Sequence, residues 1–128
     1  IPLPILLTHG TSDPAMPANG GCVANLGGLC NRGKVISQSA TINYCLQRNG
    51  LQNEIPVVSQ FDVNVTDAGN VEKRVYNGAN PLVYYVLHNA GHQVPSKTVF
   101  SNSSAASGVQ NRDIEFAEEV WSFFKGLQ

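Results

Sequence analysis

IPLPILLTHGTSDPAMPANGG, residues 1–21, joins a short apolar run to a loop crowded with Gly and Pro that carries one carboxylate, Asp13. Residues 2–10, PLPILLTHG, read as a strand buried on both faces: short, continuous in apolar side chains and stopped by Gly10. The loop beyond has two readings. Asp13 before Pro14 is ordinary turn chemistry, because a short carboxylate bonds the backbone a few residues on. A carboxylate just past a core strand is also where catalysis would put one, provided a histidine and a nucleophile reach it.

The histidine follows the second strong apolar run. PLVYYVLH, residues 81–88, is apolar, β-branched or aromatic nearly throughout, and NAGHQVPS, residues 89–96, ends it in a loop carrying His92. Between the two runs, residues 12–34 read as one long irregular loop. VISQSATINYCLQRNG, residues 35–50, reads as a helix with Ile36, Ala40 and Tyr44 on one face, Ser37 or Ser39 as cap and Gly50 as stop. VVSQFDVNV and VEKRVY flank the turn signal TDAGN, which predicts a hairpin over residues 57–76. NRDIEFAEEVWSFFKG, residues 111–126, predicts a closing helix capped by Asn111, with Ile114, Ala117, Val120, Trp121 and Phe124 as the stripe that packs on a sheet. The order strand, helix, hairpin, strand, helix predicts a single α/β domain.

Composition narrows the function. A net charge of −1 with eight Lys and Arg gives no electrostatic case for nucleic acid or an anionic membrane. No apolar run approaches the roughly 20 residues that span a bilayer, and IPLPILL lacks the basic start and cleavage site of a signal peptide. Ile1 in place of Met points to processing, cleavage or cloning at this end. Cys22, Cys30 and Cys45 lack zinc-ligand spacing. A Cys22–Cys30 disulfide is expected across the Gly-rich loop, which has little apolar content to order it, with Cys45 free or paired elsewhere. Such a bridge, with NVT at Asn64 and NSS at Asn102, favours a secreted or periplasmic protein. His88 and His92 are spaced like helical zinc ligands, but Asn89, Ala90 and Gly91 break any helix there, so no metal or other cofactor is expected.

Asp13 and His92 thus follow the first and last core strands, in the closing order of a Ser-Asp-His triad. At these residues a family resemblance becomes specific. PILLTHGTSDPAMPANGG resembles the acid-bearing segment of α/β-hydrolases, and more closely that of the secreted polyhydroxybutyrate depolymerases and feruloyl esterases, where a strand leads into HGxxD, a Pro and NGG. ATINYCLQRNG is similar to the helix that follows there, YYVLHNAGHQVP to the histidine segment and NRDIEFAEEVWSFF to the final helix. The resemblance implies the C-terminal portion of an α/β-hydrolase fold over residues 1–128, with a mixed, mostly parallel sheet and packed helices. It implies Asp13 as triad acid, His92 as general base, and Val94 and Pro95 at the substrate pocket.

Two departures accompany it. Val94 stands where the family usually carries Trp, and the nucleophile elbow GxSxG is absent: in GTSDP, Pro14 replaces the second Gly, and in GGCVA, Ala24 does. The implied protein is a serine carboxylesterase acting on an aryl or hydroxyalkanoate ester, of which this chain holds acid and base. Its nucleophile would come from an N-terminal hydrolase segment, and the chain alone would be inactive and prone to self-association. The alternatives are another hydrolase, such as a peptidase or deacetylase, and a non-catalytic binding module of hydrolase topology.

Overall fold

The structure, a computed structural model, describes residues 1–24, 29–67 and 69–127. Residues 25–28 of the expected loop and residue 68 of the expected turn lie outside the described residues. Along the chain run β1 (Ile5–Gly10), β2 (Gly21–Cys22), β3 (Lys34–Val35), α1 (Gln38–Asn49), β4 (Val57–Phe61), β5 (Asn70–Tyr76), β6 (Leu82–His88) and α2 (Phe116–Lys125). Residues 12–34, expected to be irregular throughout, thus contain β2 and the start of β3, which pair antiparallel, and Val35, expected to begin the helix, completes β3.

The main sheet has the order β1-β6-β5-β4. Only β1 and β6 are parallel; β5 is antiparallel to both β6 and β4. The sequence-based fold class therefore needs correction: this is a small, mostly antiparallel mixed sheet with two short helices, not a mostly parallel, helix-packed portion of an α/β-hydrolase. Chain length decides it. Residues 62–69 and 77–81 are too few for the crossover that a parallel pair needs, so each link folds back antiparallel. Residues 11–81, containing α1, are long enough to return parallel.

Central β6 is buried from Leu82 to Leu87 and divides the core by its two-residue alternation. Leu82, Tyr84 and Val86 face Ile42 and Leu46 of α1, whereas Val83, Tyr85 and Leu87 pack with Val71, Ile114 and Phe116. At the sheet margins burial is weaker than the apolar runs suggest. β1, expected to be buried on both faces, is half-buried along Ile5–His9, and Val57 and Val58 of β4 are exposed.

Both helices turn a different face inward from the one their periodicity indicates. α1 is capped by Ser37, whose Oγ accepts the Ala40 N–H at 3.2 Å, and ends at Gly50 in the left-handed conformation. Its buried residues are Ile42 and Leu46, while Ile36, Ala40 and Tyr44 are exposed. Ile42, Cys45 and Leu46 pack on the sheet, and Asn49 pins the end of the helix, its Nδ2 donating to the carbonyls of Leu3 at 2.7 Å and Asn80 at 2.9 Å. α2 begins at Phe116, not Asn111. Asn111 is buried, donating to Asp113 Oδ2 at 2.7 Å, and Asp113 Oδ1 receives the N–H groups of Val63 and Asn64. The face that docks carries Phe116 and Phe123, leaving Trp121 69% exposed.

α2 is also held by charge. Glu119 Oε2 accepts the Tyr85 hydroxyl and lies 3.0 Å from Lys73 Nζ, which sits over the Tyr85 ring. Burial alone would raise the Glu119 carboxyl, but hydrogen bonds from Tyr85 and Lys73 outweigh it and hold the group below its ordinary value. A carboxyl lowered in the folded state stabilises above its unfolded pKa and loses that contribution as pH falls through the folded value. Wild type should therefore melt above Glu119→Gln near pH 7, and the gap should close as pH falls below about 4. An equal gap at all pH values would refute the linkage.

The Cys22–Cys30 disulfide is formed, with Cα atoms 5.2 Å apart, and Cys45 on α1 is a free, half-buried thiol whose pKa burial raises. Closing so short a loop contributes about 2–3 kcal/mol by restricting the unfolded chain. Under denaturing, non-reducing conditions one thiol should react with a maleimide, and three after reduction; three without reductant would exclude the bridge.

Candidate functional site

β1 and β6 run side by side with Gly10 opposite Leu87, so the loops leaving their carboxyl ends start together. Backbone bonds carry the contact onward: Thr11 N–H reaches Leu87 O at 2.9 Å and Ser12 N–H reaches Ala90 O at 3.0 Å. Asn89, at φ 59°, turns the chain out of β6, and its N–H bonds Thr11 Oγ1 at 2.9 Å.

Two glycines allow this approach. A Cβ on Gly10 would lie 2.2 Å from the Ala90 carbonyl oxygen, and one on Gly91 would lie 2.1 Å from that of Ser107. Neither position has room for a side chain without moving backbone.

Asp13 occupies the resulting junction with a side chain only 5% exposed. Its Oδ1 accepts the N–H groups of Ala15 and Met16 at 2.8 Å each, and its Oδ2 lies 2.8 Å from Nδ1 of His92. The turn reading and the catalytic reading of Asp13 therefore describe different oxygens of one carboxylate. His9 Nε2 donates to Met16 O at 2.8 Å and stands 3.9 Å from Asp13 Oδ2, ordering the acid loop from beneath.

His92 is 79 positions from Asp13 in sequence, and its side chain is 55% exposed. An ionised carboxylate only accepts, so it holds the proton of neutral His92 on Nδ1 and leaves Nε2 with a free lone pair. Among the described residues no Ser, Thr or Cys side chain bonds Nε2; Ser12 is exposed beside Asp13. His88 stays half-buried at the end of β6, and no group of three or more His, Cys, Asp or Glu among the described residues is placed to hold a metal.

The His92 loop rests on polar residues that sequence reasoning did not single out. Gln93 Nε2 donates to Gly108 O at 2.9 Å and Ser107 Oγ at 3.1 Å, and the His92 N–H donates to Ser107 O. Buried Gln110 donates to the carbonyls of Val94 and Val99 and accepts the Ser101 N–H. No periodic signal marks such groups; their partners are backbone atoms of an irregular loop.

A cleft of about 350 Å³ adjoins the pair, lined by Thr8, Met16, Gly91, Gln93 and Val94. A second recess of about 490 Å³ runs from His92 past Val94 toward Ser101 and Gln110. Val94 is 67% exposed between them; Pro95 is buried, its carbonyl accepting the Phe116 N–H at the start of α2. A third hollow of about 510 Å³ lies along the outer side of β1, where Thr8 Oγ1 and Gln38 Nε2 are buried without partners.

In comparisons with family models, curated proteins and solved structures, nothing matches this chain.

Gly91→Ala should destabilise the fold by about 1–3 kcal/mol or more and break the Asp13–His92 bond, seen as loss of the hydrogen-bonded Nδ1–H resonance by NMR. Gly126→Ala, where the nearest atom is 3.4 Å from the added Cβ, is the control. Retention of that resonance at wild-type stability in Gly91→Ala would show that the approach does not need glycine.

Proposed function

We propose that Asp13 and His92 are the acid and base of a Ser-His-Asp triad in a secreted serine carboxylesterase. The observation that carries the reading is the 2.8 Å contact between Asp13 Oδ2 and His92 Nδ1, with the carboxylate buried and the imidazole open to the cleft. Nε2 takes the proton of a serine hydroxyl as its oxygen attacks the ester carbonyl, and returns it to the departing alcohol. The buried carboxylate stabilises the imidazolium formed in between, and a water then repeats the sequence on the acyl-enzyme.

The nucleophile comes from a polypeptide segment other than these 128 residues. The outer edge of β1 is the docking line for it, since no described strand pairs there and Thr8 Oγ1 and Gln38 Nε2 lie unpartnered beside it. The Cys22–Cys30 bridge supports passage through an oxidising compartment. The partly apolar cleft beside Val94 supports an aryl or hydroxyalkanoate acyl group.

The test is hydrolysis of p-nitrophenyl acetate and methyl ferulate by the full-length protein that includes this chain. His92→Ala should lower kcat by at least about 10³-fold, and Asp13→Asn by about 10⁴-fold by favouring the wrong tautomer, both with unchanged melting temperature. The 128-residue chain alone should turn over neither ester. Near wild-type turnover in either variant, or turnover by the isolated chain that survives His92→Ala, would overturn the assignment.

A further inference from the structure

The strand β4 creates a problem that the hydrolytic reading leaves untouched. It lies at the outer edge of the sheet, and its sequence VVSQF contains no charge and no Pro. Val57 and Val58 are 59% and 51% exposed, and Ile55 just before them is 90% exposed. Such an edge invites pairing with another chain, and none of the usual in-strand protections is present. Three positions after Phe61, the last residue of β4, the chain enters residues 64–67, Asn-Val-Thr-Asp.

We propose that Asn64 is a site of N-linked glycosylation and that its glycan shields the β4 edge. Asn64-Val65-Thr66 has the acceptor spacing, and the chain here is a turn closed by Asp67 N–H on Asn64 O at 3.2 Å, with Val65 and Thr66 exposed and Asn64 half-buried. Asn64 Oδ1 accepts both the N–H and the hydroxyl of Thr66, at 3.1 and 2.6 Å. The amide oxygen is thereby engaged with the Thr that the acceptor motif requires, while Nδ2 has no bond within the turn. Asp113 Oδ1 anchors the turn through the N–H groups of Val63 and Asn64, fixing its backbone. Its flanks, Val63 and Val65, are 67% and 77% exposed.

Asn102-Ser103-Ser104 has the same spacing but different surroundings. Its hydroxyl residue, Ser104, bonds Ser107 Oγ at 2.8 Å and accepts the Ser107 N–H, and the Asn102 carbonyl receives Gln93 Nε2 beside His92. That loop belongs to the support of the histidine, so Asn64 is the site the structure favours.

The chemistry needs one co-reactant, a lipid diphosphate-linked oligosaccharide. The bond from Asn64 Nδ2 to the sugar C1 forms as the bond from C1 to the diphosphate oxygen breaks; the amide loses one proton and the lipid diphosphate leaves. The proposal stands independently of the esterase reading.

The experiment is secretion of the chain from a eukaryotic host, followed by peptide mapping and an endoglycosidase mobility shift. Asn64 should be occupied, Thr66→Ala should abolish the modification at Asn64, and Thr66→Ser should restore it. Removing the glycan enzymatically from the folded protein should then increase its aggregation on storage, seen by light scattering. Secreted, folded chain with the Cys22–Cys30 bridge intact and Asn64 wholly unmodified would overturn the site. Unchanged aggregation after deglycosylation of an occupied Asn64 would overturn the shielding role.

Discussion

The parallel pairing of β1 with β6 is the constraint on which the remainder of the structure depends. It sets Gly10 against Leu87, and from that register the loops after the two strands must leave side by side. Everything that orients Asp13 toward His92 follows from it: the continued backbone bonds of Thr11 and Ser12, the left-handed turn at Asn89 and the close approach at Gly91. A one-residue slip in this pairing would turn the alternating side chains of β1 to the wrong faces, exchanging Leu6 and Leu7 between the two core clusters. The register is therefore held by hydrophobic burial, and the polar pair inherits its precision from an apolar core.

Around that pairing the protein spends buried polar groups on loops instead of on regular elements. Asp13, Gln93, Gln110 and Asp113 each bond two or more backbone groups of irregular segments. A buried backbone N–H or C=O left unmatched costs about 1–3 kcal/mol, so such side chains take the place that a neighbouring strand would fill in a larger sheet. Asp13 shows the economy of the arrangement. One oxygen closes the turn that fixes its position, and the other is left to face the imidazole.

The two sheet edges are unequal. Among the described residues no strand pairs with the outer side of β1, which lies next to an apolar hollow where Thr8 Oγ1 and Gln38 Nε2 are buried without partners. β4, at the other edge, presents the exposed valines Val57 and Val58. The esterase reading uses the first edge and the modification at Asn64 uses the second.

The sequence by itself determined the local events. The apolar runs at 2–10 and 81–88 specify strands, the first of which starts only at Ile5, Ser37 and Gly50 specify the ends of α1, and TDAGN specifies a reversal, because each rests on interactions within a few residues. The pairing of Asp13 with His92 was legible as a hypothesis, since both follow core strands, and the disulfide because its loop has little else to order it. Tertiary structure decided the rest. Short links at 62–69 and 77–81 made the sheet mostly antiparallel, against the α/β-hydrolase expectation; the four strands of the main sheet lie within or beside the expected runs, whereas the small pair β2–β3 was not expected. The inward face of α1 carries Ile42, Cys45 and Leu46, with Asn49 pinning its end, and that of α2 carries Phe116, Glu119 and Phe123, whose partners lie on other elements. Periodicity reports which side of a helix is most apolar. It cannot report which side finds a tyrosine hydroxyl or a lysine opposite, as Glu119 of α2 does, or which of two apolar stripes on α1 meets the sheet.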